Sequence, residues 1–211
     1  MEAHHSVLCT DSFLVTLKSL IALHHSIYPR IPPQGIFFES LVEQAFRRSG
    51  WPAPQVILSK ANTPQHDLLV GTARISLKIE TGTGTHPSLI SITKLRTTET
   101  GAWDSAALIE HTMQHLSRYD HMLMLRAIWR PAVIHYQVLE IPLVILRLIE
   151  GITVVGVGRR TGRKSMAADV YDQGTKLFHL HFDGADGKCQ VQRLLVNRCW
   201  LLAEWEQPFM V

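Results

Sequence analysis

A short run of alternating residues carries the groups in this chain that are best suited to chemistry. Successive side chains of a β-strand point to opposite faces, and the run from Arg74 to Glu80 alternates polar and apolar residues. If this run is a strand, its apolar side chains form a core face made of Ile75, Leu77 and Ile79. The opposite face then places Lys78 between the hydroxyl of Ser76 and the carboxylate of Glu80.

Phosphodiester hydrolysis needs groups of this kind. Carboxylate oxygens bind hard cations such as Mg²⁺, and the metal activates water and offsets the charge that builds on the phosphate. A nearby lysine orients the water or stabilises that charge. Asp67, at the start of the predicted partner strand, and Glu80 are therefore candidate metal ligands, and Lys78 is the candidate cation. Glu39, on an earlier helix, could complete the metal's ligands. The alternative is an ordinary surface hairpin, on which the same charges pair across strands for little gain.

The elements around these residues alternate in type along the chain. Apolar residues at helical spacing predict helices at Ser12–Ile27 and Ile36–Arg48. Gly71 and Thr72 separate two β-type runs and predict an antiparallel hairpin. Further elements are expected at Leu89–Leu95 (strand), Asp104–Ser117 (helix), His121–Ile128 and Val133–Ile141 (strands), Leu143–Ile149 (short helix), Ile152–Val157 (strand) and Met166–Leu195 (hairpin or small sheet). This order predicts a single α/β domain over residues 1–211, with a central mixed sheet flanked by helices.

Composition narrows the class of protein further. The longest apolar stretch, Tyr136 to Gly158, is interrupted by charged residues and a proline, so it never reaches the roughly 18 uninterrupted apolar residues that a membrane span needs. We therefore expect a soluble, cytoplasmic protein without a membrane partner. The three cysteines form no CxxC pair, which disfavours a disulfide framework and a cysteine zinc site.

Positive charge is concentrated in one place, although the net charge is only +3. The cluster consists of Arg159, Arg160, Arg163 and Lys164. These cations suit contacts to nucleic-acid phosphates, and a solvated loop is the equal alternative. Lys188, beside a predicted turn, could reach base edges in a groove.

The order of these motifs resembles a known family. Glu39 on an early helix, then Asp67, then Ser76-Leu-Lys78 on a hairpin strand is similar to the PD-(D/E)xK nucleases, and specifically to type II restriction endonucleases. The resemblance covers roughly Ile36 to Ser117. It implies a restriction-endonuclease-like fold and Mg²⁺-dependent cleavage of double-stranded DNA at a short specific site. A homodimer is also expected, because two-fold symmetry matches a palindromic site.

The sequence departs from the family's pattern at two positions. His66 precedes Asp67 where the family has proline, and Ser76 takes the acidic place of the lysine motif. Glu80 is the first candidate to replace that acid and Glu110 the second, and Glu43 is the reserve for Glu39. Ser76 also supports an alternative, a non-catalytic DNA-binding or scaffold protein on the same fold. A repair or transposition nuclease is a third option.

Overall fold

The computed structural model describes residues 8–59, 66–97, 102–158 and 162–209. The chain divides into two compact units. The described residues of the first unit lie within Met1–Pro87, Tyr119–Ile141 and Cys199–Val211, and those of the second lie within Ser88–Arg118 and Pro142–Arg198. The expectation of one domain over the whole chain is not tested by this division and stays a prediction.

The first unit is a six-stranded sheet with two helices. Its elements are α1 (Asp11–Ile27), α2 (Ile36–Arg48), β1 (Val56–Leu58), β2 (Leu68–Val70), β3 (Ala73–Glu80), β5 (His121–Trp129), β6 (Val133–Glu140) and β11 (Trp200–Pro208), with a 3-10 turn at Ala53–Gln55. The strand order is β1-β2-β3-β5-β6-β11. Only β3 and β5 pair in parallel in this sheet, and the other described pairs are antiparallel. The sheet is therefore mixed, as the sequence predicts.

The spacing of apolar residues along the two helices explains how they pack on this sheet. Thr10 caps α1, because its hydroxyl accepts a hydrogen bond from the backbone N–H of Phe13 at 3.3 Å. Phe13 stacks on Phe46 of α2, with ring centroids 4.1 Å apart. The same core includes Ile75 and Leu77 of β3, so the face predicted to be apolar is buried. Burying side chains of this size stabilises the fold by roughly 1.5–3 kcal/mol each.

The second unit is a five-stranded antiparallel sheet with two helices. Its elements are β4 (Leu89–Thr97), α3 (Ser105–Leu116), α4 (Leu143–Leu146), β7 (Val155–Val157), β8 (Ser165–Asp172), β9 (Thr175–Phe182) and β10 (Lys188–Leu195), with 3-10 turns at Arg147–Ile149 and Val196–Arg198. The strand order is β4-β10-β9-β8-β7. Asp104 caps α3, since its Oδ1 accepts a hydrogen bond from the N–H of Ala107 at 3.0 Å.

The predicted fold class, a mixed sheet flanked by helices, is confirmed. Helix α2 and the β2–β3 hairpin lie where the sequence places them. One prediction is incomplete, because Met166–Leu195 forms three strands of a larger sheet to which β4 also belongs. Within the described ranges, no helix is both long and apolar enough to cross a membrane.

Candidate active site

The β2–β3 hairpin positions the carboxylate of Asp67. This residue directly precedes β2, and its N–H donates to the carbonyl of Ile75 at 2.9 Å. Its Oδ2 accepts the backbone N–H of Leu77 at 2.6 Å and the hydroxyl of Ser76 at 3.1 Å. A side-chain oxygen thus takes the place of a strand partner for Leu77, which holds the carboxylate against β3.

Lys78 reaches the same carboxylate through Ser76. Its Nζ donates to Oγ of Ser76 at 2.8 Å and lies 3.9 Å from Oδ2 of Asp67. Ser76 is completely buried, and the side chain of Lys78 is 16% exposed. The hydroxyl accepts from the ammonium and donates to the carboxylate, so three candidate residues form one hydrogen-bonded chain on one strand face.

Glu39 lies close enough to the hydrogen-bonded residues Lys78 and Asp67 to interact with their charges. It follows the buried Phe38 on α2 and is half-buried itself. Loss of solvent raises the pKa of its carboxyl, the negative charge of Asp67 raises it further, and the ammonium of Lys78 lowers it. The negative charge of Asp67 disfavours the ionised form of Glu39, and a bound cation would relieve this repulsion. Their oxygens are also the donors that Mg²⁺ prefers, so Glu39 and Asp67 fit a divalent metal ion.

Glu80 has a different partner. Its Oε2 accepts a hydrogen bond from Nε of Arg126 at 2.8 Å, and that arginine is completely buried. Among the described residues, no three His, Cys, Asp or Glu side chains are grouped so that they could hold a metal ion. Glu80, the third predicted metal ligand, is thus paired with the guanidinium of Arg126. Its metal-binding role stays a prediction.

The two reserve acids lie in other surroundings. Glu43, one turn after Glu39 on α2, forms an ion pair with Arg47 at 2.7 Å. Glu110 lies on α3 in the second unit and accepts a hydrogen bond from Gln114 at 3.0 Å. Each thus has a partner on its own helix.

Three of the predicted DNA-binding cations are described, and they lie in the second unit. Arg159 and Arg160 fall outside the described residues. The guanidinium of Arg163 lies over the ring of Trp103, 4.2 Å from its centroid, and Nε donates to the carbonyl of Gly184 at 2.9 Å. Lys164 is exposed.

Lys188 is the remaining predicted DNA-binding residue. Its Nζ lies 2.6 Å from Oδ2 of Asp186. This exposed carboxylate raises the pKa of Lys188, and the lysine in turn lowers the pKa of Asp186.

Sequence reasoning missed Arg126, which lies in the middle of an apolar strand. A buried guanidinium needs a counter-charge or several acceptors. A lone arginine in the run His121–Ile128 was therefore a usable signal. Its partner could not be read from the sequence, because Glu80 lies 46 residues earlier and meets it only through the parallel pairing of β3 with β5.

Comparison with known proteins identifies a family and individual relatives. A family model described as SmaI, type II site-specific deoxyribonuclease, matches residues 3–207. The type II restriction enzyme SmaI of Serratia marcescens is 27% identical over 203 residues, which cover 93% of this chain and 80% of that enzyme. A solved structure, a restriction endonuclease in complex with substrate DNA, is 17% identical with a TM-score of 0.38, over 68% of this chain and 69% of that one.

The mixed sheet with flanking helices is that of a restriction-endonuclease-like α/β protein, the class expected from the sequence. The match over residues 3–207 then shows the family: the chain belongs to the SmaI family of type II site-specific deoxyribonucleases. The predicted resemblance to type II restriction endonucleases is thereby confirmed.

Proposed function

We propose that this protein is a type II restriction endonuclease that hydrolyses phosphodiester bonds of double-stranded DNA at a short specific site, with Mg²⁺ as cofactor. One observation carries the proposal: the chain of hydrogen bonds from Lys78 through Ser76 to Asp67, with Glu39 near enough to interact with both ends. Membership of the SmaI family supports the reaction class.

Asp67 and Glu39 are the residues that would hold the metal ion. The raised pKa of Glu39 beside the charge of Asp67, and the oxygen donors of both residues, fit a hard divalent cation. When bound, Mg²⁺ would lower the pKa of a water ligand and offset negative charge on the phosphate. Glu80 was the other ligand predicted from the sequence, and its carboxylate is paired with Arg126.

Lys78 is the residue that would act on the reacting groups. Its ammonium is mostly shielded from water, and this strengthens its interaction with a developing negative charge. Ser76 acts through Lys78, because its hydroxyl accepts a hydrogen bond from Nζ and so fixes the position of the ammonium. The same hydroxyl donates a hydrogen bond to Asp67. Ser76 is therefore a positioning residue in this scheme.

DNA would be held by the cations of the second unit. Arg163 and Lys164 are described there, and we propose that they contact phosphates together with Arg159 and Arg160. We propose that Lys188, in the same unit, reaches base edges in a groove. A palindromic site further implies a homodimer, because each subunit then meets an identical half-site. A DNA substrate also implies a cytoplasmic location.

The decisive experiment is digestion of a long sequenced phage DNA with Mg²⁺, with chelator, and with the variant Lys78→Ala. We expect discrete fragments that require the metal and the lysine. The matched control is Lys18→Ala, which removes an exposed lysine from α1 and should cut like the parent.

Intact DNA with the parent protein across several substrates and metals would contradict the nuclease. It would favour the alternative of a non-catalytic DNA-binding or scaffold protein, for which Ser76 in the acidic position is the supporting feature. Nicks or structure-selective cuts in place of discrete fragments would favour a repair or transposition nuclease.

A further inference from the structure

Arg126 joins three neighbouring strands of the first unit's sheet. Its Nε donates to Glu80 on β3 and its Nη1 donates to Oε1 of Gln137 on β6, each at 2.8 Å. Both residues lie directly opposite Arg126 in the strand register. The guanidinium is completely buried, and the side chain of Glu80 is 13% exposed. This arrangement satisfies the buried charge with an anion and an amide oxygen.

The same guanidinium also holds the segment that follows β3. Its Nη2 donates to the carbonyl of His86 at 2.5 Å, and Nη1 lies 3.4 Å from the carbonyl of Pro87. At the start of the segment, Nε1 of Trp129 donates to the carbonyl of Thr81 at 3.1 Å. Two residues of β5, Arg126 and Trp129, therefore hydrogen-bond to the two ends of the segment 81–87.

Strand β3 changes its pairing partners just before Lys78. In the described residues, β2 pairs with β3 only from Ala73 to Ile75. Beyond this point the N–H of Leu77 is bound by the carboxylate of Asp67, and β5 is the strand that pairs with β3 among the described residues. The final register pair on β5 is Glu80 with Arg126. The half of β3 that carries Lys78 is therefore anchored at its end by that ion pair.

We propose that Glu80 is the counter-ion of Arg126 and not a metal ligand, and that the pair positions Lys78 by fixing the end of β3. Diverting Glu80 to a metal ion would leave a buried guanidinium without its anion, which is strongly destabilising. This inference rests on the proposed nuclease function only for the roles of Lys78 and the metal. The ion pair itself does not depend on that function.

The first test compares Glu80→Gln with Asp67→Asn in Mn²⁺ binding, measured as a metal-dependent shift of the unfolding temperature. We expect Glu80→Gln to unfold several degrees below the parent in chelator and to keep the parent's Mn²⁺ response. Asp67→Asn should lose that response. A Glu80→Gln variant that loses the Mn²⁺ response while unfolding like the parent in chelator would overturn the proposal.

The second test asks whether the pair acts on the chemical step. Arg126→Lys keeps a positive charge, but an ammonium cannot reproduce the forked contacts of a guanidinium. We expect both Arg126→Lys and Glu80→Gln to slow single-turnover cleavage about tenfold or more, with unchanged DNA affinity in chelator. The control is Glu206→Gln, which removes the anion of the exposed pair with Arg130 and should leave the rate unaltered.

The outcomes separate this inference from the proposed function. A parent that neither responds to Mn²⁺ nor cuts DNA contradicts the nuclease, and the stability of Glu80→Gln in chelator still decides whether the ion pair exists. A parent that cuts, with cleavage by both variants at the parent's rate, contradicts the positioning role alone.

Discussion

Lys78 donates a hydrogen bond from Nζ to Oγ of Ser76, two positions earlier on the same strand face, at 2.8 Å. Ser76 stands where the family pattern has an acid, and its hydroxyl is completely buried. The serine thus connects the lysine with Asp67 without adding a negative charge. The site consequently has one carboxylate fewer on β3 than the pattern implies.

Replacement of Ser76 by alanine tests this connection. Ser76→Ala should slow single-turnover cleavage by about 10- to 100-fold, because Lys78 loses its acceptor and Asp67 loses a donor. DNA affinity in chelator should stay the same. Ser19→Ala, which removes an exposed hydroxyl from α1, is the control. A parent-like rate for Ser76→Ala would show that Lys78 is positioned by other contacts.

Glu39 should make stability depend on pH in a known direction. Burial and Asp67 raise the pKa of its carboxyl above the ordinary 4.5, so the folded protein holds this proton more tightly than the unfolded chain. The contribution of Glu39 to stability therefore falls as pH rises from about 4.5 through the raised pKa. Glu39→Gln lacks this loss and should gain stability relative to the parent across that window. Urea unfolding in chelator measures the difference, and parallel pH curves for the two proteins would contradict the prediction.

His121 should make stability depend on pH in a higher pH range than Glu39 does. Its Nδ1 lies 2.6 Å from Oε1 of the buried Glu140, and this hydrogen bond raises the pKa of His121 above 6.5. The pair's stabilisation is fully present below pH 6.5 and is lost as pH rises through the raised folded pKa. Urea unfolding of the parent should therefore show a decline above pH 6.5 that His121→Gln does not show. A parent curve that is flat over this range would rule out the pair as a source of stability.

The proposed DNA-binding lysines should differ in their contribution to salt dependence. Lys164→Ala should reduce the slope of log affinity against log salt by about 1, as expected when one phosphate contact is lost. Lys188→Ala should reduce it less, because Asp186 already binds that ammonium at 2.6 Å. Affinity measured in chelator at several salt concentrations gives both slopes. Equal slopes for both variants and the parent would place the DNA elsewhere.

Local patterns were sufficient for the elements near the site. Helix α2 was predicted with its observed bounds, because its apolar stripe and the following Gly50 are local signals. The hairpin was predicted because Gly71, in the left-handed region with φ +61°, occupies the turn between two β-type runs. Alternation along β3 then placed Ser76 and Lys78 on one face, and their hydrogen bond agrees with that placement.

The sequence by itself thus determined the helices, the hairpin and the shared face of Ser76, Lys78 and Glu80, because each depends on residues a few positions apart. Only the tertiary structure decided which partners these side chains meet. Parallel pairing of β3 with β5 brings Arg126 to Glu80 across 46 residues, and the packing of α2 brings Glu39 near Asp67. Such contacts depend on strand order and helix packing, which no local periodicity encodes.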